Sequence, residues 1–300
     1  MFHGSPAMPA RAAGGLTGAM TNRNDEIVVL GGTGKTGRLL VPALRAAGHR
    51  VRPASRSGEV RFDWDDEASW PAVVKGAGAL YLVSGTPGRT ERFVRLAAEA
   101  GVRRFVALSG RGMDRYDPDL FPSVAAGERA VRESGAEWSI IRANNFNQNF
   151  DVDYWRPPLL AGRLALPTGG VPEPFVDTRD VADVAAALLT EDGHHGRAYN
   201  VSGPRALTFE EAVATIAEAA GREIRFVDLT PEEYRAELRA EGLPEEAVAE
   251  LGAIFDVMRA GHLADPADGV REVLGREPVA FEEFAARAAA AGAWAEAPRA

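Results

Sequence analysis

The residues best suited to chemistry are three evenly spaced glycines near the start of the chain: Gly31, Gly34 and Gly37. They follow the apolar run at residues 27–30, which predicts a buried parallel strand, and they precede the apolar face of a predicted helix. Glycine permits a tight turn and lets backbone N–H groups approach a phosphate closely. The helix N-terminus adds a partial positive charge at the same point. This arrangement predicts a pyrophosphate-binding turn and hence a bound dinucleotide.

The spacing separates this motif from two other phosphate-binding motifs. It is Gly-x-x-Gly-x-x-Gly, not the Gly-x-Gly-x-x-Gly of ordinary dehydrogenases. Gly34-Lys35-Thr36 resembles the end of a Walker A loop, but Val29 stands where that loop needs its first glycine. A glycine turn without a ligand is the alternative, and the position between strand and helix favours the dinucleotide. Thr33, Lys35 and Thr36 are therefore further candidate cofactor-binding residues.

The end of the second predicted strand indicates which dinucleotide binds. NAD-selective sites usually place Asp or Glu there, whereas here the first acid is Glu59. Ser55 and Arg56 suit a 2′-phosphate, because a guanidinium binds phosphate through bidentate, charge-assisted hydrogen bonds. We therefore predict NADP(H) in preference to NAD(H), although an exposed arginine at a strand end is common. The remaining candidate contacts are Asp63 near the adenine, and Ser84 and Gly85 near the nicotinamide ribose.

The composition limits the class of protein and its partners. Of the 300 residues, 46% are hydrophobic and 26% are charged, as in soluble globular proteins. The formal net charge of -9 argues against nucleic acid and anionic membrane surfaces as partners. The chain has no cysteine, and no apolar run approaches the ~20 residues that a membrane span needs. We expect a cytoplasmic protein, monomeric or homodimeric, that acts on a small molecule.

The first 24 residues are rich in Gly, Ala and Pro and lack the charged and apolar regions of a signal peptide. Their composition predicts a disordered extension. Met20 is a candidate for the true start of the protein.

The order of predicted elements is that of a parallel sheet. Strands are expected at residues 27–30, 50–55, 61–64, 79–83, 104–108 and 138–142. Their alternation with helices predicts an α/β, doubly wound Rossmann-type domain over residues 25–150. Residues 144–174 are rich in Pro and Gly, which predicts loops. Residues 151–300 are expected to form mainly a smaller α+β, substrate-covering subdomain, with strands at 198–201 and 224–228.

Several segments together resemble the NmrA-like, atypical short-chain dehydrogenase/reductase family. They are GGTGKTG, VRFDW, RFVALSG, SIIRANNFNQNF and PFVDTRDVADVAAALL. Within the family, the sequence is most similar to reductases of the ergot-alkaloid festuclavine and agroclavine dehydrogenase type and their bacterial relatives. Triphenylmethane reductases and quinone reductases are more distant relatives. The resemblance implies a Rossmann fold, NADP(H) at the glycine motif and a substrate cleft beneath the C-terminal segment.

The usual proton relay of short-chain dehydrogenases is missing from the sequence. That relay is Tyr-x-x-x-Lys on the helix after strand five, and its tyrosine protonates the forming alkoxide. Tyr116 lies in the right region, but Leu120 stands four residues on. The only lysines of the chain, Lys35 and Lys75, precede this region. The candidate donors are Tyr116, Asp114 and Asp117.

The missing relay favours some acceptors over others. Reduction of a ketone leaves an alkoxide that needs a proton, whereas an iminium yields a neutral amine and a quinone yields a stabilised phenolate. The sequence therefore predicts an NADPH-dependent reductase of an iminium, quinone or similarly activated acceptor, with catalysis mostly by positioning. The alternatives are a non-catalytic NADP-sensing regulator and an isomerase or epimerase that retains its cofactor.

The segment after strand six is expected to line the substrate site, because ligands bind at the carboxyl ends of parallel strands. Its amides and aromatic rings suit a polar aromatic substrate, and a ring face attracts a cation. Helix capping by Asn and core packing by Phe explain the same residues equally well. The candidates are Ser109, Arg111, Asn144, Asn145, Phe146, Asn149 and Phe150. No metal site is predicted, because the pair His194-His195 has no third ligand nearby.

Overall fold

The computed structural model describes residues 26–295. The strands are β1 (Glu26–Leu30), β2 (Val51–Ser55), β3 (Val60–Arg61), β4 (Ala77–Val83), β5 (Arg104–Gly110), β6 (Glu137–Ala143), β7 (Arg163–Leu166), β8 (Arg197–Val201) and β9 (Arg225–Asp228). The helices are α1 (Gly37–Ala46), α2 (Trp70–Val74), α3 (Arg89–Glu99), α4 (Pro122–Glu133), α5 (Arg156–Leu160), α6 (Thr178–Thr190), α7 (Phe209–Ala220), α8 (Pro231–Ala240), α9 (Glu245–Arg259), α10 (Gly269–Leu274) and α11 (Phe281–Ala290). The extension predicted at residues 1–24, with Met20, lies outside this range.

Seven strands form one parallel sheet in the order β3-β2-β1-β4-β5-β6-β8. From β1 the chain proceeds to one side through β2 and β3, and it then returns to the other side at β4. Such a reversal creates a crevice at the carboxyl ends of the strands, where ligands bind in open α/β sheets. The predicted Rossmann-type fold is confirmed. No helix within residues 26–295 is long and apolar enough to cross a membrane.

Helices cover both faces of the sheet, which explains the continuous apolar character of its central strands. Successive residues of β1 point to opposite faces: Ile27 and Val29 pack with α1 and α6, while Val28 and Leu30 pack with α3 and α4. Because both faces are buried, a polar residue in the middle of this strand would lose its contact with water without gaining a partner.

The C-terminal half contributes to two separate sheets. Strands β7 and β9 form a small parallel pair that packs with α7, α8, α9 and α11 around an aromatic core. The region predicted as loops, residues 144–174, therefore also contains α5 and β7. Strand β8 joins the large sheet beside β6, and α6 packs on it. The predicted division at residue 150 thus does not coincide with the edge of the large sheet, and its functional meaning stays a prediction.

The start of α1 lies unusually close to the end of β1. A Cβ at Gly37 would lie 2.2 Å from the carbonyl oxygen of Gly31 and 2.7 Å from the Cα of Gly32. We expect Gly37→Ala to lower the free energy of unfolding by about 1–3 kcal/mol, as overpacking does. Each kcal/mol should lower Tm by about 2–4 °C in a chain of this size.

Gly110→Ala is the matched control for this measurement, because no atom lies within 4 Å of its added Cβ and its backbone is not left-handed. Thermal unfolding should show an unchanged Tm for this variant. Equal Tm values for the two variants would contradict the close packing at Gly37.

Candidate functional site

The glycine turn has the geometry that a phosphate requires. Gly31 adopts φ +66°, a conformation that glycine reaches without strain, and its carbonyl accepts a hydrogen bond from the N–H of Gly34 at 2.8 Å. Helix α1 begins at Gly37, and the residue before it, Thr36, provides no side-chain cap. The N–H groups of Arg38 and Leu39 donate to the carbonyls of Gly34 and Thr36, whereas those of Lys35, Thr36 and Gly37 have no partner among residues 26–295. These three N–H groups are therefore open to an external acceptor. A pyrophosphate fits this turn, with the positive end of the helix dipole behind it.

Thr36 has a structural partner instead. The Tyr81 hydroxyl of β4 donates to Thr36 Oγ1 at 3.1 Å, and both side chains are buried. Burial raises the pKa of Tyr81, so this phenol stays neutral. The bond ties the glycine turn to the strand across the sheet crevice.

The end of β2 carries Ser55 and Arg56 close to the turn. Ser55 Oγ accepts a hydrogen bond from the Thr33 hydroxyl at 3.2 Å. Arg56 is exposed and makes no ion pair with the residues that the structure describes. Glu59 is paired with Arg45 at 2.9 Å, and the hydrogen bond from Arg45 lowers the pKa of this carboxyl. Glu59, the first acid after this strand, is thus paired, while the guanidinium of Arg56 is available.

The other predicted cofactor contacts, Asp63, Ser84 and Gly85, differ in whether their polar groups already have hydrogen-bond partners. Asp63 Oδ1 accepts from the N–H of Asp65 at 3.0 Å. Gly85 lies against the Trp64 indole, where a Cβ would be 2.4 Å from the ring, and its N–H donates to Thr90. The hydroxyl of Ser84 is buried and has no hydrogen-bond partner among residues 26–295. Of the three predicted residues, Ser84 is therefore the one with an unused polar group.

A cavity of about 430 Å³ opens at the carboxyl ends of β4, β5 and β6, beneath α9. Two predicted cofactor residues line it, Lys35 and Ser84, together with the predicted proton donor Tyr116. The predicted substrate residues in its wall are Ser109, Arg111, Asn144, Asn145, Phe146 and Asn149. The fold therefore brings both predicted sets of residues to one place, as parallel strands with a common edge require.

Phe150 does not line this cavity. Its fully buried ring packs among Trp155, Phe175 and Phe209, with ring centroids 4.6 to 5.9 Å apart. The core-packing alternative describes this residue, because the chain turns its side chain into the C-terminal aromatic core.

The other predicted proton donors are also outside the cavity wall. Asp114 pairs with Arg142 at 3.1 Å, and Asp117 accepts a hydrogen bond from the N–H of Asp119 at 3.0 Å in a short turn. Both side chains are therefore held in structural contacts away from the cavity.

Lys35 belongs to the glycine turn, but its side chain also lies beside the predicted substrate residues. Its side chain reaches into the cavity wall that also contains Tyr116. The ammonium donates to Asn149 Oδ1 at 2.7 Å, forms an ion pair with Asp153 and lies 5.9 Å from the centre of the Phe146 ring. The ammonium of Lys35 is therefore bound by residues of the loop after β6.

Two side chains of the wall hold the loop after β5. Ser109 donates to Glu128 at 2.7 Å, and Glu128 also accepts two hydrogen bonds of 2.8 Å from Arg142. Burial opposes the ionisation of Glu128, but the bonds from Arg142 and Ser109 outweigh it and lower the pKa of this carboxyl. Arg111 donates to Asn144 Oδ1 at 2.9 Å and to the carbonyl of Asp265 at 2.6 Å. Arg111 therefore bridges two loops.

The sequence did not indicate Glu173, which the structure places in the same wall. Helix α9 supplies further lining residues that were not predicted: Ile254, Val257 and Met258. Glu173 stands between two prolines in a stretch that predicts only loop. No local pattern points to it, because its position at the end of β6 comes from long-range packing.

The segment after β6 is anchored by a buried polar network. Gln148 donates to Asp177 at 3.0 Å and accepts from the N–H of Thr178 at 2.9 Å. Asp177 caps α6 and forms an ion pair with Arg287 of α11. Beside this network, burial raises the pKa of Asp151 to about 6, against the opposing charge of Arg38. This network joins the segment after β6 to α6, which packs on the large sheet, and to α11, which packs in the aromatic core.

Residues 23–285 match the NmrA-like family. The (4-alkanoyl-5-oxo-2,5-dihydrofuran-3-yl)methyl phosphate reductase of Streptomyces griseus is 35% identical, covering 88% of this chain and 98% of the relative. The NAD(P)H azoreductase of Xenophilus azovorans is 31% identical, covering 89% and 99%. Agroclavine dehydrogenase of Claviceps fusiformis is 26% identical, covering 86% and 95%.

Among solved structures, the Citrobacter sp. triphenylmethane reductase complexed with NADP(H) has a similar fold. The TM-score is 0.70 at 22% identity, with 88% of this chain and 99% of that chain covered. The fold, together with the reductases among the relatives, defines an oxidoreductase of the Rossmann class. Within that class, the chain belongs to the NmrA-like family, and the predicted resemblance is confirmed.

The raised pKa of Asp151 has a consequence for stability. A carboxyl whose pKa is raised by folding contributes stability that is present below its unfolded pKa and lost as the pH rises through about 6. Asp151→Asn should therefore raise Tm relative to the wild type at pH ~8 and much less at pH ~4, near the ordinary pKa of 3.8 for this carboxyl. Because Asp151 is partly exposed, solvent screening should limit the gain to about 1–3 °C.

Differential scanning calorimetry at the two pH values measures this effect. The exposed Asp119→Asn is the matched control and should behave as the wild type at both. A Tm difference for Asp151→Asn that does not change with pH would exclude the buried carboxyl as its cause.

Proposed function

We propose that this chain binds NADP(H) at the glycine turn and reduces a small activated acceptor in the adjoining cavity. The observation that carries the proposal is that the turn and the cavity share a wall: Lys35 of the turn and Ser84 at the end of β4 both line it. A cofactor seated at the turn and a substrate in the cavity would therefore be neighbours. When bound, the reduced cofactor supplies the hydride.

The electrophiles in the names of the relatives support an activated acceptor. The name of the Streptomyces griseus relative describes an acyl-substituted unsaturated lactone, and that of the Xenophilus azovorans relative indicates an azo compound. Neither electrophile gives a simple alkoxide on hydride addition, unlike an unactivated ketone. Together with iminium compounds and quinones, these are the acceptor classes that we propose for this chain.

The residues of the cavity would bind and orient such an acceptor. The amides of Asn145 and Asn149 and the ring of Phe146 offer hydrogen bonds and an aromatic face. Tyr116 contributes a buried hydroxyl with no partner among the described residues. Burial raises the pKa of Tyr116, so the hydroxyl stays protonated as a hydrogen-bond donor.

The later part of the chain supports the role of a substrate-covering subdomain. The residues after position 150 in the cavity wall are Glu173, Ile254, Val257, Met258 and Leu263. The dinucleotide turn, by contrast, belongs entirely to residues before 150. We therefore assign cofactor binding mainly to residues 25–150 and substrate covering mainly to 151–300, with β8 completing the sheet.

Cofactor choice can be tested at the end of β2. Arg56→Ala should raise the Kd for NADPH ~10–100-fold, because a charged hydrogen bond is worth about 1.5–3 kcal/mol. The Kd for NADH should change less than ~3-fold, since NADH has no 2′-phosphate. Titration of reduced-nicotinamide fluorescence measures both values. Arg95→Ala, an exposed arginine on α3, is the control, and equal losses for the two cofactors would refute the NADP(H) assignment.

The acceptor class can be tested with the purified protein and NADPH. A cyclic iminium, a quinone, an unsaturated lactone, an azo dye and a simple ketone are compared by loss of reduced-nicotinamide absorbance. Activated acceptors should react, and the ketone should react at least ~100-fold more slowly, because an unactivated carbonyl accepts hydride poorly when no tyrosine–lysine relay polarises it. Reduction of the ketone alone would contradict the proposed acceptor class. NADPH binding without any oxidation would favour the non-catalytic regulator.

A further inference from the structure

Glu173 is a buried carboxyl group in the wall of the substrate cavity. It is 5% exposed, and no other acid of residues 26–295 lines this cavity. Its backbone is fixed by two hydrogen bonds with Leu207, of 2.8 and 3.1 Å. Because both the N–H and the carbonyl of Glu173 are hydrogen-bonded, its carboxyl has a defined place at the end of β6.

The contacts of this carboxyl come from neutral donors. Its Oε1 accepts from Asn144 Nδ2 at 2.7 Å and from the N–H of Asn145 at 3.2 Å. Asn144 is oriented by Arg111, which donates to its Oδ1 at 2.9 Å and is itself held by the carbonyls of Leu263 and Asp265. The positive charge therefore reaches Glu173 through an amide and not through an ion pair.

A buried carboxyl without a directly bound cation favours its protonated form. Burial raises the pKa of Glu173, and the hydrogen bonds from Asn144 and Asn145 only partly oppose this shift. The other buried carboxyls of residues 26–295 have direct cation partners: Glu128 binds Arg142, Asp177 binds Arg287 and Asp180 binds Arg276. Glu173, the acid in the cavity wall, therefore differs from the carboxyls that stabilise the fold through ion pairs.

Tyr116 is a weaker proton source at this site. Its pKa is raised, mainly by burial, which makes the phenol less acidic than in water. In a tyrosine–lysine relay the ammonium counteracts this effect, but here Lys35 is engaged by Asn149 and Asp153. Tyr116 has a free hydroxyl that suits binding of an acceptor oxygen. The stronger acid of the same wall is Glu173.

We propose that Glu173 donates the proton that completes reduction of acceptors which become anions after hydride addition. The inference rests on the proposed function. Hydride transfer from NADPH would form the new C–H or N–H bond and leave NADP⁺. The π electrons of the acceptor shift away from the new bond, so that the acceptor becomes an anion. The O–H bond of Glu173 breaks, and its proton bonds to that anion. The carboxylate left behind keeps the hydrogen bonds from Asn144 and Asn145 until water returns a proton.

Acceptors that differ in their need for a proton test this role. Glu173→Gln keeps an oxygen for the two bonds that Oε1 accepts, so Tm and the Kd for NADPH should stay close to those of the wild type. With the unsaturated lactone or the azo dye, kcat should fall ~100-fold or more, the lower range of general acid catalysis. With the cyclic iminium, whose product is a neutral amine, kcat should change less than ~3-fold. The exposed Glu210→Gln on α7 is the control and should change neither rate.

Equal losses with both acceptor classes, or no loss with the lactone and the dye, would overturn the role of Glu173. So would a wild-type enzyme that reduces the iminium but neither proton-requiring acceptor. If the wild-type protein oxidises NADPH with none of the acceptors tested, the proposed function itself is refuted.

Should Glu173→Gln fail to fold, the wild type in D₂O gives an independent test. Proton transfer from Glu173 predicts a solvent isotope effect of ~2 or more with the lactone and about 1 with the iminium. Equal isotope effects with the two acceptors would overturn the proposal.

Discussion

The contact between the start of α1 and the end of β1 is the constraint on which the site depends. Gly37 opens the helix so close to Gly31 that a Cβ would lie 2.2 Å from the Gly31 carbonyl oxygen. Because the helix begins there, the N–H groups of residues 35–37, which have no partner among residues 26–295, lie at the point where the order of the sheet reverses. The same turn also supplies Lys35 to the cavity wall. One backbone contact therefore places the dinucleotide turn and one side of the cavity.

The hydrogen-bond partners of the buried carboxyls distinguish those that stabilise the fold from Glu173, the proposed proton donor. Glu128 and Asp177 each bind an arginine directly, and these pairs hold the loops after β5 and β6. Buried charges are retained in folded proteins when they are paired and hydrogen-bonded. Glu173 is similarly buried, but within residues 26–295 it accepts hydrogen bonds only from amides, and Arg111 contacts it through Asn144. This difference in partners, more than burial itself, suits Glu173 to exchange a proton.

The sequence predicts those parts of the site that depend on neighbouring residues. Apolar runs predict β1, β4 and β5, and the glycine spacing predicts the turn between β1 and α1. Asn144 and Asn145 are predicted in the wall because they directly follow a strand of a parallel sheet. Phe150 shows the limit of this reasoning, because substrate contact and core packing suit its side chain equally well. Its packing with Trp155 and Phe175 places it in the core.

The sequence by itself determined the fold class and the glycine turn, because strand burial, helix periodicity and turn geometry follow from short-range sterics and spacing. The family followed from the resemblance of its motif segments. Only the tertiary structure decided that β8 completes the large sheet, that Lys35 and Tyr116 share a cavity, and that Glu173 lies beside Asn144. These neighbours come from segments far apart in the chain. Their proximity results from the packing of whole elements on the sheet, and no local pattern of residue types records it.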